Sequence, residues 1–313
     1  MMKSISILIC SVLLMSCREY PVNKEKLLGW DYRLYQGTIA WDLAKAVDDE
    51  DTFEIRRQII ELKVPIDLKD SIFGGTLLMM AVRNNDEKSV EQLLILGANP
   101  NLYDDTVHST GRNAVIYASI YTNPSEKILR LLLKYGGDPN SRECGIYNQP
   151  WGKESASLSA LYHAVSTDAL YAKSLYSIFS PNDFGKVKAL TEAGANKTSM
   201  TEALDAAFVH NRMDIVLYLL EHGADYNRKF EEHDIKDNGG DSIFYTNILY
   251  QLRCCTYPLD SKVYNEKMEV VKFLRERGLN YWKSPIPDCV FYIIKQEIGT
   301  MSDEELKQYL KVY

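Results

Sequence analysis

The sequence lacks the excess of basic residues that nucleic-acid-binding proteins use to contact phosphates. Its 36 lysines and arginines stand against 43 aspartates and glutamates, which gives a formal net charge of −7. The field of the whole chain therefore repels phosphate backbones, and we expect no nucleic-acid partner. Hydrophobic residues make up 46% of the 313 residues. This fraction is enough to build the core of one large domain or of two ordinary ones.

The sequence also has none of the short motifs that mark common catalytic and cofactor sites. No segment reads GxxxxGK[ST], GxGxxG or HExxH, so signatures for nucleotide binding and zinc hydrolysis are missing. The acidic run of residues 231–241 lacks the ligand pattern of an EF-hand loop, and a solvated loop is favoured over a divalent-ion site. No histidine belongs to a recognisable nucleophile motif. We therefore predict no enzyme, no cofactor and no metal site. The histidines are His108, His163, His210, His222 and His233.

An apolar run near the N-terminus, residues 5–15, follows the positive charge of Lys3. These eleven residues are too few to cross a bilayer as a helix, which takes about 20. Ser16 and Cys17 come next, and a small residue before a cysteine suits the peptidase that cleaves lipidated precursors. The segment resembles a bacterial lipoprotein signal peptide. An ordinary signal peptide is the alternative.

The lipoprotein resemblance implies that residues 1–16 are removed and that Cys17 is the site of lipid attachment. Residues 17–40 would then form a lipidated tether and lead-in. Arg18 stands where enteric bacteria use aspartate to retain lipoproteins in the inner membrane. The resemblance therefore implies a location in the bacterial cell envelope, with the lipid anchor in the outer membrane and the protein facing the periplasm.

The cysteines left after this processing would lie in a compartment where disulfides persist. Four cysteines allow three pairings, and the sequence does not choose among them. Cys254 and Cys255 are adjacent, which fits no CxxC spacing, and no histidine lies at zinc-ligand spacing from them. The four residues are Cys144, Cys254, Cys255 and Cys289.

The rest of the chain repeats one order of small, apolar and turn-forming residues. In segment 201–227, Ala207 is followed by an apolar stripe that includes Leu219, and then by Gly223. A small alanine allows close helix packing, the stripe forms one helix face, and the glycine suits a left-handed residue after the helix. The same order recurs around Gly97, Gly136, Gly194 and Gly278.

This order closely resembles the ankyrin repeat. The resemblance implies an all-α ankyrin-repeat solenoid, in which stacked helix-turn-helix units with long inserted loops share one core. A unit that begins at Trp41 aligns without a gap on the unit of Thr76, with Lys63 in the place of the glycine, and we interpret it as an N-terminal cap. The repeat domain would span residues 41–313, with units near 41–70 (the cap), 71–106, 107–145, 155–200, 201–230 and 243–283, and a C-terminal cap at 284–313.

The predicted units are further apart than the family period of about 33 residues. Their central position moves from Ala81 to Ala118, Ala164, Ala207 and Leu252, in steps of 37, 46, 43 and 45 residues. We therefore predict insertions at every junction, and repeat proteins often bind through the face that carries such insertions. The insertions lie within residues 102–112, 141–157, 167–184, 228–245 and 254–267.

Aromatic residues are frequent in these insertions and on the first helices, and the chain contains 21 tyrosines. Tyrosine and tryptophan supply a large, stiff contact area with a polar end, which suits protein interfaces. The alternative is that the rings fill the space that the insertions open. His163 is expected at a variable first-helix position that faces the groove. The predicted partner-binding residues are Tyr103, His108, Tyr117, Tyr121, Tyr147, Trp151, His163, Phe230, Tyr245 and Tyr250.

The function predicted from these features is a non-catalytic, membrane-anchored protein–protein interaction module. It would act as a monomer, and its acidic charge would favour a basic protein partner. A specific version is an immunity protein against a secreted effector. Two alternatives stay open. One is an envelope enzyme or metal-dependent factor that uses the inserted loops, and the other is a structural or stress-resistance component of the envelope.

Overall fold

Successive helix pairs make up the fold. The first helices of the first five pairs pack on one another in turn, and so do the second helices of the first four pairs. The first helices are α1 (Trp41–Asp48), α3 (Leu77–Asn84), α5 (Ala114–Ile120), α7 (Ala160–Ser166), α9 (Lys197–Val209) and α11 (Ile248–Cys254). The second helices are α2 (Thr52–Ile60), α4 (Glu87–Ile95), α6 (Glu126–Lys134), α8 (Phe184–Glu192), α10 (Met213–Glu221) and α12 (Lys262–Arg275). A further helix, α13 (Asp303–Val312), lies near the C-terminus.

This computed structural model confirms the predicted all-α repeat solenoid. Within the part of the chain that it describes, no helix is both long and apolar enough to span a membrane. The described residues are 21–105, 110–120, 124–149, 152–155, 157–166, 184–235, 241–287, 290, 291, 294 and 302–312.

The residue that closes the second helix has the predicted left-handed conformation in six units. The five glycines at this position have φ between 89° and 105°. In the first unit the position is held by Lys63, with φ of 58°. This backbone region is open to glycine, whereas a Cβ atom there meets the following carbonyl oxygen. The glycine pattern in the sequence therefore reports a real backbone requirement, and Lys63 meets it at a cost.

Asparagine side chains after two of these glycines fasten one unit to the next. Asn101 donates from Nδ2 to the carbonyl oxygen of Gly136 over 2.8 Å and accepts from the backbone N–H of Asp138 over 2.8 Å. Asn140 makes the same pair of contacts one unit later, with Gly194 at 3.3 Å and with the N–H of Asn196 at 2.7 Å. The asparagine therefore satisfies one backbone donor and one backbone acceptor that the turn leaves open.

The structure corrects the gapless alignment of the first unit on the second. The backbone N–H of Asp51 bonds to Ala46, and that of Asp86 bonds to Ala81, so the helices correspond with an offset of 35 residues. Lys63 and Gly97 correspond with an offset of 34. With Trp41 on Thr76 the two units match through both helices, and the first unit has one additional residue before Lys63, so the alignment without a gap is wrong.

The lead-in before α1 contributes to the core. A short 3-10 helix, Tyr32–Tyr35, packs on α1. Tyr35 is fully buried, and its hydroxyl donates to the carbonyl oxygens of Leu68 at 2.7 Å and Gly75 at 2.9 Å. The folded part of the chain therefore begins within the segment expected as tether and lead-in. At the other end, α13 and residues near it form a separate small core of Val290, Ile294, Leu306 and Leu310.

Two of the predicted loops contain antiparallel hairpins. Strands β1 (Ile146–Gln149) and β2 (Gly152–Ser155) pair within residues 141–157, and strands β3 (Phe230–Ile235) and β4 (Asp241–Thr246) pair within residues 228–245 and the residue after them. The expectation of a solvated loop over 231–241 was therefore wrong for its described strand residues. One face of the second hairpin meets the stack at Phe230 and Gln251. The insertion at 167–183 lies outside the described residues.

Candidate protein-interaction surface

The base of the β3–β4 hairpin is fixed to helix α9. Arg228 donates from Nη2 to a carboxylate oxygen of Asp205 over 2.5 Å and from Nη1 to the carbonyl oxygen of Thr201 over 2.8 Å. Two residues later, at the start of β3, Phe230 is buried, and its ring meets the ring of Phe208 edge to face with 5.7 Å between the ring centres. A charged clamp and an aromatic contact therefore hold the start of β3 on the stack.

The strand register gives the hairpin two distinct faces. Phe230 pairs with Thr246, and Glu232 pairs with Phe244, so these four residues share one face. That face lies against α11, because Gln251 donates to Glu232 and, over 3.1 Å, to the hydroxyl of Thr246. The hairpin is thus attached to α9 near its start and to α11 through the side chain of Gln251.

The opposite face of the hairpin carries two large apolar side chains among polar ones, and both point to solvent. Ile243 is 54% exposed and Tyr245 is 63% exposed, and Glu231 stands opposite Tyr245 with 3.4 Å between its Oε2 atom and the tyrosine hydroxyl. A free two-stranded ribbon would place polar residues on its solvent face. On the inner face, Phe244 is 40% exposed and meets the half-buried ring of Tyr250. We call the outer-face residues Glu231, Ile243 and Tyr245 the hairpin surface.

Carboxylates border the hairpin surface on the side of α9. Burial raises the pKa of Asp205 to about 6, and the Arg228 guanidinium opposes this rise. Glu202, from the same helix, forms a two-bond ion pair with Arg142 at 2.8 and 3.0 Å. Because arginines pair with Asp205 and Glu202, the carboxylates of Glu231 and Glu232 on the hairpin supply the negative charge of this region, which suits a partner with basic side chains.

Three of the predicted binding residues are buried in the core of the stack. Tyr117 is 4% exposed, and its hydroxyl donates to Asp104. Phe230 is 5% exposed, as described above. His163 is 9% exposed, with Nε2 at 3.4 Å from a carboxylate oxygen of the buried Glu143. These three side chains therefore serve the stack and do not form an open groove lining.

Glu143 is the centre of this internal network. Its Oε1 atom accepts from Arg112 Nε over 2.6 Å and from the hydroxyl of Thr110 over 2.8 Å. The side chain of Glu143 is fully buried. A buried carboxylate requires this kind of pairing, because its desolvation is otherwise costly. The network joins the insertion before α5 to the insertion before α7.

The other predicted residues have mixed positions. Tyr245 is exposed, whereas Tyr250 and Tyr103 are half-buried. The structure therefore places Tyr245 on the hairpin surface, Tyr250 beside Phe244 on the other face of the ribbon, and Tyr103 apart from both, in the insertion before α5. Tyr147 lies in strand β1, and its side chain is outside the described part. The predicted residues that lie wholly outside the described part are Cys17, His108, Tyr121 and Trp151.

Sequence reasoning missed Ile243 and Phe244. Both are in the segment Asp241–Thr246, where Ile-Phe-Tyr stands between polar residues. The sequence does not reveal which of three consecutive apolar residues faces solvent, because a shift of one residue exchanges the two faces of a strand. Only the pairing with β3 decides it. Among the described residues, no group of three histidine, cysteine or carboxylate side chains is placed to hold a metal ion.

The helix pairs and their insertions can now be compared with known proteins. Residues 43–143 match the family model of ankyrin repeats, in three copies. The fold is an ankyrin-repeat solenoid. A crystal structure of an ankyrin-repeat protein aligns over 75% of this chain and 96% of its own, with 21% identity and a TM-score of 0.44. No curated protein matches the chain.

Ankyrin repeats indicate a protein–protein interaction module. The family match covers the first helix pairs, where the inserted segments are shortest. The hairpin surface lies outside the matched residues, between the helix pairs α9–α10 and α11–α12. It is therefore an addition of this chain to the matched repeat pattern.

Proposed function

We propose that the protein is a non-catalytic, membrane-anchored interaction module of the bacterial cell envelope, which binds a basic protein partner through the hairpin surface. Solvent exposure of Ile243 and Tyr245 on a fixed, acid-bordered hairpin is the observation that carries the proposal. Exposed apolar side chains in a cluster favour an interface, and nearby carboxylates select a cationic partner. Ankyrin repeats are typically non-enzymatic binding units, which agrees with this role.

The anchor in the proposal is a lipid on Cys17, in the outer membrane and facing the periplasm. Its support is the sequence pattern of residues 5–17 alone. The protein would act there as a monomer. The specific version that we propose is immunity against a secreted effector, because an acidic surface is suited to neutralising a basic protein that arrives from outside.

The test of the hairpin surface makes the same substitution, isoleucine to serine, at two exposed positions. Ile243→Ser removes an apolar contact from the hairpin surface, and Ile95→Ser does the same on helix α4, where Ile95 is 53% exposed. A cross-linker placed at Tyr245 in the full chain first identifies partners in the envelope. The captured protein is then purified, and its dissociation constant is measured with each variant.

We expect a captured partner with a basic surface, an affinity loss of roughly tenfold for Ile243→Ser, and no loss for Ile95→Ser. Both variants should keep the stability of the parent within about 0.5 kcal/mol, because the side chains are exposed. Equal affinities for the two variants, or a partner without basic residues at the contact, would contradict the proposal. For the immunity version, loss of this protein should be toxic only in cells that receive the captured partner.

A further inference from the structure

The second helices α2, α4 and α6 share a regular exposed face. Their N-cap residues are Asp51, Asp86 and Ser125. The second, fifth and ninth residues after each N-cap are exposed in all three helices. These positions fall on one side of a helix with 3.6 residues per turn. Because α2 packs on α4 and α4 packs on α6, the nine positions form one continuous surface, which we call the second-helix surface.

Three of these positions carry large apolar side chains. On α2 they are Phe53, which is 76% exposed, and Ile60, which is 43% exposed. On α4 the residue equivalent to Ile60 is Ile95, which is 53% exposed. Single exposed apolar residues are ordinary. Here, however, the three occupy repeated positions on neighbouring helices, so that the two isoleucines stand side by side.

Five of the six other positions are basic, and the sixth is Glu91. The five are Arg56, Lys88, Lys127, Arg130 and Lys134. Lys127 forms an ion pair with Glu87, and Arg130 with Glu126 and Glu192. Such exposed pairs are weak and exchange readily with other anions. Arg56, Lys88 and Lys134 make no ion pair within the described part of the chain.

The second helix α10 lacks this character. Its residues at the same three positions after the N-cap Arg212 are Asp214, Leu217 and Glu221. The chain as a whole has a net charge of −7. Five basic residues at nine repeated positions of an acidic chain therefore need their own explanation.

We propose that the second-helix surface docks on an anionic lipid bilayer, an inference that rests on the proposed lipid anchor at Cys17. Apolar side chains flanked by lysine and arginine are the composition of helices that lie in the membrane interface. Three residues lie between Cys17 and Pro21, the first described residue, and four extended Cα–Cα steps span only about 14 Å. An anchored chain thus holds its first units close to the headgroups, where basic side chains gain attraction.

The experiment is side-chain footprinting with hydroxyl radicals on the full chain, purified from a bacterial host that processes lipoproteins. Mass spectrometry of the N-terminal peptide first reads acylation of Cys17. The chain is then placed in protein-free vesicles rich in phosphatidylglycerol, in vesicles of phosphatidylcholine alone, and in detergent. We expect Phe53 and Ile60 to be protected several-fold in the anionic vesicles, less so at high salt and in phosphatidylcholine. Tyr245, on the hairpin surface, should remain labelled throughout.

A pair of variants with matched chemistry separates docking from general burial. Phe53→Asp combined with Ile60→Asp should abolish the protection of Ile95 in anionic vesicles, whereas Ile243→Asp on the hairpin should leave it unchanged. Urea unfolding of each variant checks that it is folded. Because all four substituted or reporting side chains are exposed, we expect the stability to change little.

The outcomes distinguish the anchor from the docking surface. An acylated Cys17 with Phe53 and Ile60 labelled equally in vesicles and detergent would overturn the docking surface and leave the anchor intact. An unmodified Cys17 would overturn the anchor. In that case the docking surface stands only if the purified chain, mixed with phosphatidylglycerol vesicles, still shows the protection. Protection that requires envelope proteins and is absent from protein-free vesicles would also overturn it.

Discussion

Replacement of Lys63 by glycine should stabilise the protein, although it removes a whole side chain. Lys63 has φ of 58° and is exposed, and it makes no ion pair within the described part of the chain. A left-handed backbone costs a residue with a Cβ atom roughly 1–2 kcal/mol. Glycine avoids this cost, but its greater conformational freedom in the unfolded chain lowers the gain in stability by about 0.5–1 kcal/mol. We therefore expect Lys63→Gly to raise the free energy of unfolding by about 0.5–1 kcal/mol.

Urea unfolding, followed by circular dichroism, measures this change, and two further variants fix its meaning. Lys88→Gly removes the same side chain within helix α4 and should destabilise by about 1 kcal/mol, since glycine is a poor helix former. Gly97→Ala places a Cβ atom at the equivalent left-handed position, where φ is 96°, and should also destabilise by about 1 kcal/mol. If Lys63→Gly and Lys88→Gly lowered the stability equally, the argument from backbone conformation would be wrong.

Two other predictions concern buried polar groups. Tyr35→Phe leaves the carbonyl oxygens of Leu68 and Gly75 without the hydroxyl that now bonds both, so urea unfolding should show a loss of about 1–3 kcal/mol; an unchanged stability would mean that water replaces the hydroxyl. Burial lowers the pKa of Lys267 to about 7 from an ordinary 10.5. The Lys267 amine therefore binds a proton more tightly in the unfolded chain than in the folded protein. Its contribution to stability is present above pH 10.5 and is lost as the pH falls through 7. Lys267→Met should remove this pH dependence of the free energy of unfolding, which amounts to at most about 1.4 kcal/mol per pH unit between pH 7 and 10. Urea unfolding at several pH values measures it, and parallel pH profiles for parent and variant would contradict the prediction.

Much of the fold followed from local patterns. The glycines after the second helices could be identified because each sits in a backbone conformation that other residues reach at a cost, which is a property of a single position. The helix pairs could be identified because their apolar stripes repeat at the spacing of one helix face. The cap was found for the same reasons, but its alignment without a gap was wrong, since the first unit has one additional residue before Lys63.

The candidate site was only partly predictable. Tyr245 was identified by its residue type and by its place in an insertion, and the structure places it on the hairpin surface, whereas Tyr250, identified in the same way, is half-buried against Phe244. Tyr117 and His163 have the same residue-level signal but point into the stack, where Asp104 and Glu143 occupy the adjoining insertions. Composition does not distinguish a ring that meets a partner from a ring that meets a neighbouring repeat.

The sequence by itself determined the repeat architecture, the absence of common catalytic motifs and the left-handed closing residues, because these depend on residue type and on spacing within one unit. The tertiary structure alone decided which aromatic residues are exposed, because that depends on how the units stack. It alone also decided that the paired strands 230–235 and 241–246 carry two apolar side chains toward solvent, because the pairing register assigns Ile243 and Tyr245 to the side away from helix α11. A contact between distant segments fixes that register, and no local pattern in the chain encodes it.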